Sequence, residues 1–182
     1  MIRLFVALKI PDNVKDQIYE NCDKVIGKLS DNKWEPKDKI HLTLKFIGDV
    51  EDYLVPQITD EISFVTDYSS FNCTISKFGF FFRGNEAKIL WCNLETDERI
   101  NNLVNQLNDR LSKFNIELEK RKFKGHLTLL RIKNRVNEGF IKKFREYEFS
   151  PINFTANQIA LIQSLLKPHG SEYKVLKIYE LK

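Results

Sequence analysis

One tetrapeptide occurs twice in this chain, as His41-Leu42-Thr43-Leu44 and as His126-Leu127-Thr128-Leu129. Each copy sits in a run rich in alternating and branched residues, Ile40–Ile47 and His126–Ile132, which reads as a strand. Successive side chains on a strand leave opposite faces, so His41 shares a face with Thr43, and His126 with Thr128. The four leucines then point into a core layer. If the two strands lie side by side, two imidazoles and two hydroxyls line one cleft. Lys45, two residues beyond Thr43, is expected on the cleft face as well.

The rest of the chain frames this pair. Residues 2–9 read as a strand ending at Pro11-Asp12. An amphipathic helix follows, with Val14, Ile18, Cys22, Val25, Ile26 and Leu29 on its apolar face. The first tetrapeptide strand is expected to stop at Gly48-Asp49. A helix marked by Leu54, Ile58, Ile62 and Val65 comes next, with Pro56 in its first turn, where proline does least harm. Residues 71–82 and 87–94 are two strand-like runs joined by Arg83-Gly84-Asn85-Glu86, a hairpin loop. The clearest helix spans about Asp97–Phe114, with Asp97 as its cap. A shorter helix covers about Asn137–Tyr147, and the tail from Ile152 to Leu181 reads as strands with a turn at Lys167-Pro168-His169-Gly170.

Strand, helix, tetrapeptide strand and helix in the first third resemble helix, tetrapeptide strand and helix in the last half. The separation of the two histidines, 126 − 41 = 85 residues, exceeds any solenoid period. The pattern implies an α+β fold of two similar lobes facing each other. At 182 residues the chain has length for a substantial core, and 42% hydrophobic content with mixed charge excludes a disordered class. A net charge of +4 suits an anionic ligand without singling out nucleic acid. Cys22, Cys73 and Cys92 are odd in number and show no CxxC, so reduced, buried thiols in a cytoplasmic protein are expected. The opening MIRLFVALKIPDN is too short in apolar length for a signal core, and no run is long enough to span a bilayer.

Two imidazoles and two hydroxyls suit a phosphodiester. A neutral imidazole takes a proton from an attacking water or hydroxyl, while a protonated one gives a proton to the departing oxygen. Histidine alone titrates, at about 6.5, near enough to neutrality for either part. Each placed proton transfer contributes about 10²–10⁴-fold, enough for an enzyme without a metal. Hydrogen-bonded core histidines are the plain alternative. Against it, the chain has only three histidines and two fall in the repeat, each followed by the same hydroxyl residue on the same face. His169, in its Pro-His-Gly turn, reads as a solvated loop residue; a three-histidine zinc site would need it beside the other two, and no carboxylate or cysteine has ligand-like spacing. The basic run Lys120–Lys124 reads as a solvated strand edge, placed where it would guide an RNA backbone toward His126.

The paired His-x-Thr-x segments resemble those of the two-histidine phosphoesterases, and among them the RNA 2′,3′-cyclic phosphodiesterases, also called 2′-5′ RNA ligases. The likeness runs through Arg3-Leu4-Phe5-Val6-Ala7, Trp34, the two HLTL segments, Ile89-Leu90-Trp91, and Ser164-Leu165 through Gly170, Tyr173, Val175-Leu176 and Leu181. It covers nearly the whole chain, 1–182, as one domain of two lobes with one motif each. The resemblance implies a monomeric, cofactor-free and metal-independent enzyme that opens RNA 2′,3′-cyclic phosphate ends to 2′-phosphates, reversible in principle as 2′-5′ joining. It implies His41 as general acid and His126 as general base, with Thr43 and Thr128 holding the phosphate. A small cyclic nucleotide as substrate, or a non-catalytic RNA-binding role, are the alternative readings.

Arg131 matches an arginine that the family commonly carries five residues after its second histidine, bound to phosphate. Strict alternation puts residue 131 on the face opposite His126, so only a bulge or strand end brings it to the cleft; otherwise it is a surface cation. Many relatives have Phe-Pro near the central loop, where this chain has Phe80-Phe81-Phe82-Arg83-Gly84. A phenylalanine there can stack on a base, although such a run more often belongs to the core.

Overall fold

The computed structural model describes residues 1–27, 34–168 and 170–182. Leu29, assigned to the first helical face, and His169, assigned to the last turn, lie outside the described residues. In chain order the elements are β1 (Ile2–Lys9), α1 (Asp12–Ile26), β2 (His41–Val50), α2 (Val55–Ile62), β3 (Phe71–Ile75), β4 (Phe78–Arg83) and β5 (Glu86–Asn93). Then come α3 (Arg99–Ser112), β6 (His126–Arg131), α4 (Glu138–Glu146), β7 (Ile152–Ala156), β8 (Gln158–Lys167) and β9 (Gly170–Glu180). All strand pairing is antiparallel. A four-stranded sheet has the order β2-β1-β8-β9, a three-stranded sheet β4-β5-β6, and β3 pairs with β7. The fold is α+β, as the periodicities imply.

The two tetrapeptide strands are edges of different sheets rather than neighbours in one. One face of the four-stranded sheet sends Leu4, Val6, Leu8, Leu42 and Leu161 into the main core, which also takes Leu127 and Leu129 from β6. Its other face carries a small apolar floor of Phe5, Ala7, Ala160 and Ile162, on which Tyr173 packs. Fully burying one such large apolar side chain contributes about 1.5–3 kcal/mol. Helix α3 packs on β2 and α4 on β4, so each tetrapeptide sheet has its own helical backing.

Three expectations need correction. The run 71–82 is not one strand: it breaks after Ile75, and its two pieces join different sheets, β3 with β7 and β4 with β5. The first tetrapeptide strand does not stop at Gly48-Asp49. Gly48 takes φ +86°, a conformation open to glycine, beside the unpaired Ile47, so β2 passes through a bulge and ends at Val50. Residues 120–124 form no strand and reach His126 as irregular chain, with Lys120, Arg121, Lys122 and Lys124 exposed. Asn137 caps α4, its Oδ1 accepting from the Phe140 N–H at 2.8 Å. Asp97 stands one residue ahead of the α3 cap, Glu98, and its Oδ1 accepts from the Arg99 N–H at 3.0 Å.

Candidate active site

Besides the bulge at Ile47, each tetrapeptide strand carries one at the same place in its motif. In β2 Val6 pairs with Lys45 and Ala7 with Thr43, leaving Leu44 unmatched. In β6 Leu90 pairs with Leu130 and Trp91 with Thr128, leaving Leu129 unmatched. Two consecutive side chains therefore turn inward in each strand, Leu44 with Lys45 and Leu129 with Leu130, and all four are buried. The residue after each pair turns back to the cleft. That residue is Phe46 in β2 and Arg131 in β6. The bulge decides the question that alternation left open, and Arg131 stands on the face of His126 and Thr128.

It also removes Lys45 from the cleft. Its ammonium is buried on the far side of β2, donating to Asn108 Oδ1 at 2.7 Å and to the Glu117 carbonyl at 2.6 Å. The expectation that Lys45 faces with His41 fails because one inserted residue inverts the period of two.

His41, Thr43, His126, Thr128 and Arg131 line a single cleft of about 240 Å³, together with Arg3, Phe5, Glu35, Lys39, Phe46 and Tyr173. The two imidazoles are held alike. Each ring Nδ1 lies against the carbonyl two residues upstream, His41 to Lys39 at 2.7 Å and His126 to Lys124 at 2.9 Å. A carbonyl only accepts, so Nδ1 carries the proton in both rings and leaves Nε2 available for proton exchange. His41 Nε2 is 3.1 Å from the Thr43 hydroxyl. Aromatic rings fix the planes: Phe5 stacks on His41 at 4.9 Å between centroids, with Tyr173 edge-on at 5.5 Å. Phe81 meets His126 edge-on at 4.9 Å.

Burial lowers the His41 pKa to about 4, with the charges of Arg131, Lys15 and His126 adding to the effect and the Lys39 carbonyl opposing it. Burial also pushes His126 below its ordinary value, with Lys124 and Arg131 contributing and the Lys124 carbonyl opposing. Near neutral pH both rings are therefore uncharged in the free protein. An arriving anion reverses part of that depression by offering opposite charge to an imidazolium.

The Phe80-Phe81-Phe82 run is split by the pleat. Phe80 is buried against Phe140 and Phe144, Phe81 packs beside Trp91 and His126, and Phe82 is exposed with the Arg145 guanidinium over its ring. Glu35, Lys39 and Phe46 are cleft residues that sequence reasoning did not single out. Phe46 was within reach, because aligning HLTLKF with HLTLLR matches it to Arg131. Glu35 and Lys39 carried no such signal, since they lie outside regular strand. Cys22, Cys73 and Cys92 are free and buried, as expected. Among the described residues no group of three His, Cys, Asp or Glu is placed to hold a metal, and no helix is long and apolar enough to cross a membrane.

Paired edge strands with facing histidines define a two-histidine phosphoesterase architecture, and solved structures share it. A Thermus thermophilus protein superposes with a TM-score of 0.80 at 22% identity, covering 99% of this chain and 98% of that one. Escherichia coli LigT complexed with 3′-AMP gives 0.76 at 21% identity, over 100% and 98%. The chain belongs to the 2′-5′ RNA ligase superfamily, whose sequence profile matches residues 15–167. Similar curated proteins include the RNA 2′,3′-cyclic phosphodiesterase of Thermotoga maritima, 29% identical over 96% of this chain and 93% of the relative. That of Methanocaldococcus jannaschii is 28% identical over 97% and 99%.

Proposed function

We propose that the protein hydrolyses RNA 2′,3′-cyclic phosphate ends to 2′-phosphomonoesters without a metal, by paired histidine acid–base catalysis. The observation that carries this reading is the common restraint on the two imidazoles. Both Nδ1 atoms are tied to backbone carbonyls, and both rings line one cleft with two threonine hydroxyls and Arg131. The names of the similar curated proteins agree with it. A cleft near 240 Å³ is smaller than the roughly 300–1,000 Å³ of enclosed small-molecule pockets, which suits the terminal group of a longer chain.

In the proposed reaction, neutral His126 Nε2 takes a proton from water as the water oxygen attacks phosphorus. His41, carrying a proton on Nε2, gives it to the 3′-oxygen as the P–O3′ bond breaks. The products are a 2′-phosphate and a free 3′-hydroxyl. The Thr43 and Thr128 hydroxyls and the Arg131 guanidinium hold the non-bridging oxygens. A low His41 pKa makes its imidazolium a strong proton donor, and the bound phosphate anion supplies the charge that keeps the proton there until transfer. Microscopic reversibility makes 2′-5′ joining the reverse path. The test is turnover of an oligonucleotide ending in 2′,3′-cyclic phosphate in excess EDTA, with the product assigned as 2′- or 3′-phosphate. His41→Ala and His126→Ala should each abolish turnover, and activity in either variant would overturn the assignment.

A further inference from the structure

Among the described residues that line this cleft, one is an acid. Glu35 Oε1 accepts a hydrogen bond from Arg131 Nε at 2.8 Å, its side chain 18% exposed against 60% for the arginine. The acid is anchored by its own backbone rather than by chance of rotamer. Its N–H donates to the Leu129 carbonyl at 2.8 Å, its carbonyl accepts from the Tyr19 hydroxyl, and the preceding Trp34 bridges to Leu130. Glu35 is thus registered against the very bulge that turns Arg131 to the cleft. The Nε bond occupies one edge of the guanidinium and leaves Nη1 and Nη2 without a hydrogen bond among the described residues.

A lone arginine would serve a phosphate site; a carboxylate at its back weakens every anion that enters. The charge inventory gives that cost a purpose. Arg3 is neutralised by Asp49 through two hydrogen bonds at 3.0 and 2.7 Å, and Arg131 is neutralised by Glu35. Both histidines are uncharged near neutrality, which leaves Lys39 as the cation lining the cleft without an ion pair among the described residues. Before a ligand arrives the walls therefore present a net charge of about one positive unit. A cyclic phosphodiester carries one negative charge at any pH near neutrality, whereas a phosphomonoester approaches two, its second pKa being about 6.

We propose that Glu35 is a specificity-determining and positioning residue: it aims Arg131 and subtracts charge so that the cleft holds a monoanionic phosphodiester and releases a dianionic phosphomonoester. This rests on the reading of the cleft as a phosphodiester site. Because the dianion feels the carboxylate twice as strongly as the monoanion, removing Glu35 should shift their relative binding by about tenfold, after allowance for solvent screening.

The experiment compares the native protein with Glu35→Gln. Adenosine 2′-monophosphate is the competing monoester and 2′,3′-cyclic AMP the substrate. At pH 8 the ratio of the monoester's Ki to the substrate's KM should fall about tenfold in the variant. Near pH 5, where the monoester also carries one charge, the variant and native ratios should coincide. Loss of Arg131 orientation would weaken the dianion more than the monoanion and so raise the ratio, so a purely structural role would not produce the fall. Glu35→Ala, which also removes the acceptor, should lower the ratio by less than Glu35→Gln and raise KM. An unchanged ratio at pH 8, or an equal shift at both pH values, overturns the proposal. Failure of the native protein to open the cyclic phosphate would instead overturn the functional reading, and this proposal with it.

Discussion

Leu44 and Leu129 are three-dimensional equivalents: each is the unmatched residue of a bulge three positions after its histidine, and each is followed by a second buried side chain. The repeat is therefore a repeat of backbone geometry as well as of letters. Its purpose in each strand is to present a third cleft residue, Phe46 on one side and Arg131 on the other.

On that geometry we propose Arg131 as a binding group. Arg131→Ala should raise KM for a cyclic phosphate by about 10–100-fold, the worth of one or two charge-assisted hydrogen bonds at about 1.5–3 kcal/mol. Arg131→Lys should recover only part of this, because lysine cannot bond Glu35 through Nε and face the phosphate with a separate edge. Steady-state kinetics of both variants check it, and an unchanged KM would place Arg131 outside the binding machinery.

The depressed histidines set the pH dependence. In the free protein both pKa values lie below 6.5, His41 at about 4, and kcat/KM reports the free protein. Its bell should peak in the acid range between those two values, falling at lower pH as the base protonates and at higher pH as the acid is lost. The kcat profile should lie at higher pH, because bound phosphate favours the imidazolium. Parallel profiles on one substrate test the pair, and a kcat/KM maximum above pH 7 contradicts it.

Lys45 should matter for stability rather than catalysis. Lys45→Ala leaves the Glu117 carbonyl without this donor, leaves Asn108 Oδ1 with only the Glu119 N–H at 3.3 Å, and opens a buried space, at a cost of about 2–4 kcal/mol. At this chain length that corresponds to a fall in Tm of about 4–16 °C. With kcat/KM expected within about threefold of native, thermal melts and kinetics together separate a structural lysine from the cleft residue that strict alternation would make it.

Gly125 should be intolerant of any side chain. A Cβ there would lie 2.2 Å from the Leu94 carbonyl oxygen, while the Gly125 carbonyl accepts from the Leu94 N–H at 3.2 Å. Gly125→Ala must push that backbone apart one residue before His126, whose ring is fixed by the Lys124 carbonyl. We expect a loss of about 1–3 kcal/mol in stability and at least a tenfold loss in kcat/KM for the cyclic phosphate. Native-like turnover in a folded Gly125→Ala protein would show that His126 is set independently of this contact.

The amino-acid sequence by itself determined the elements and the chemistry they carry. Periodicity and capping placed α1, α3 and α4 to within a few residues, because each buries one face and so writes its period into the chain, while β1, buried on both faces, was placed by its run of branched and aromatic residues. The repeated tetrapeptide put His41 beside Thr43 and His126 beside Thr128, since two residues on a strand share a face whatever the sheet. Beyond that span local pattern lost its authority. Whether Lys45 and Arg131 faced the cleft depended on Leu44 and Leu129 being unmatched, a matter of register against β1 and β5 that no single strand encodes. The assignment of 71–82 to two sheets depended likewise on partners distant in sequence. Glu35 reached the cleft only through its backbone bonds to β6 and Tyr19, contacts between segments up to about a hundred residues apart. The HLTL pair was legible because its meaning is local, and the rest of the site came from pairing, which is a property of two strands at once.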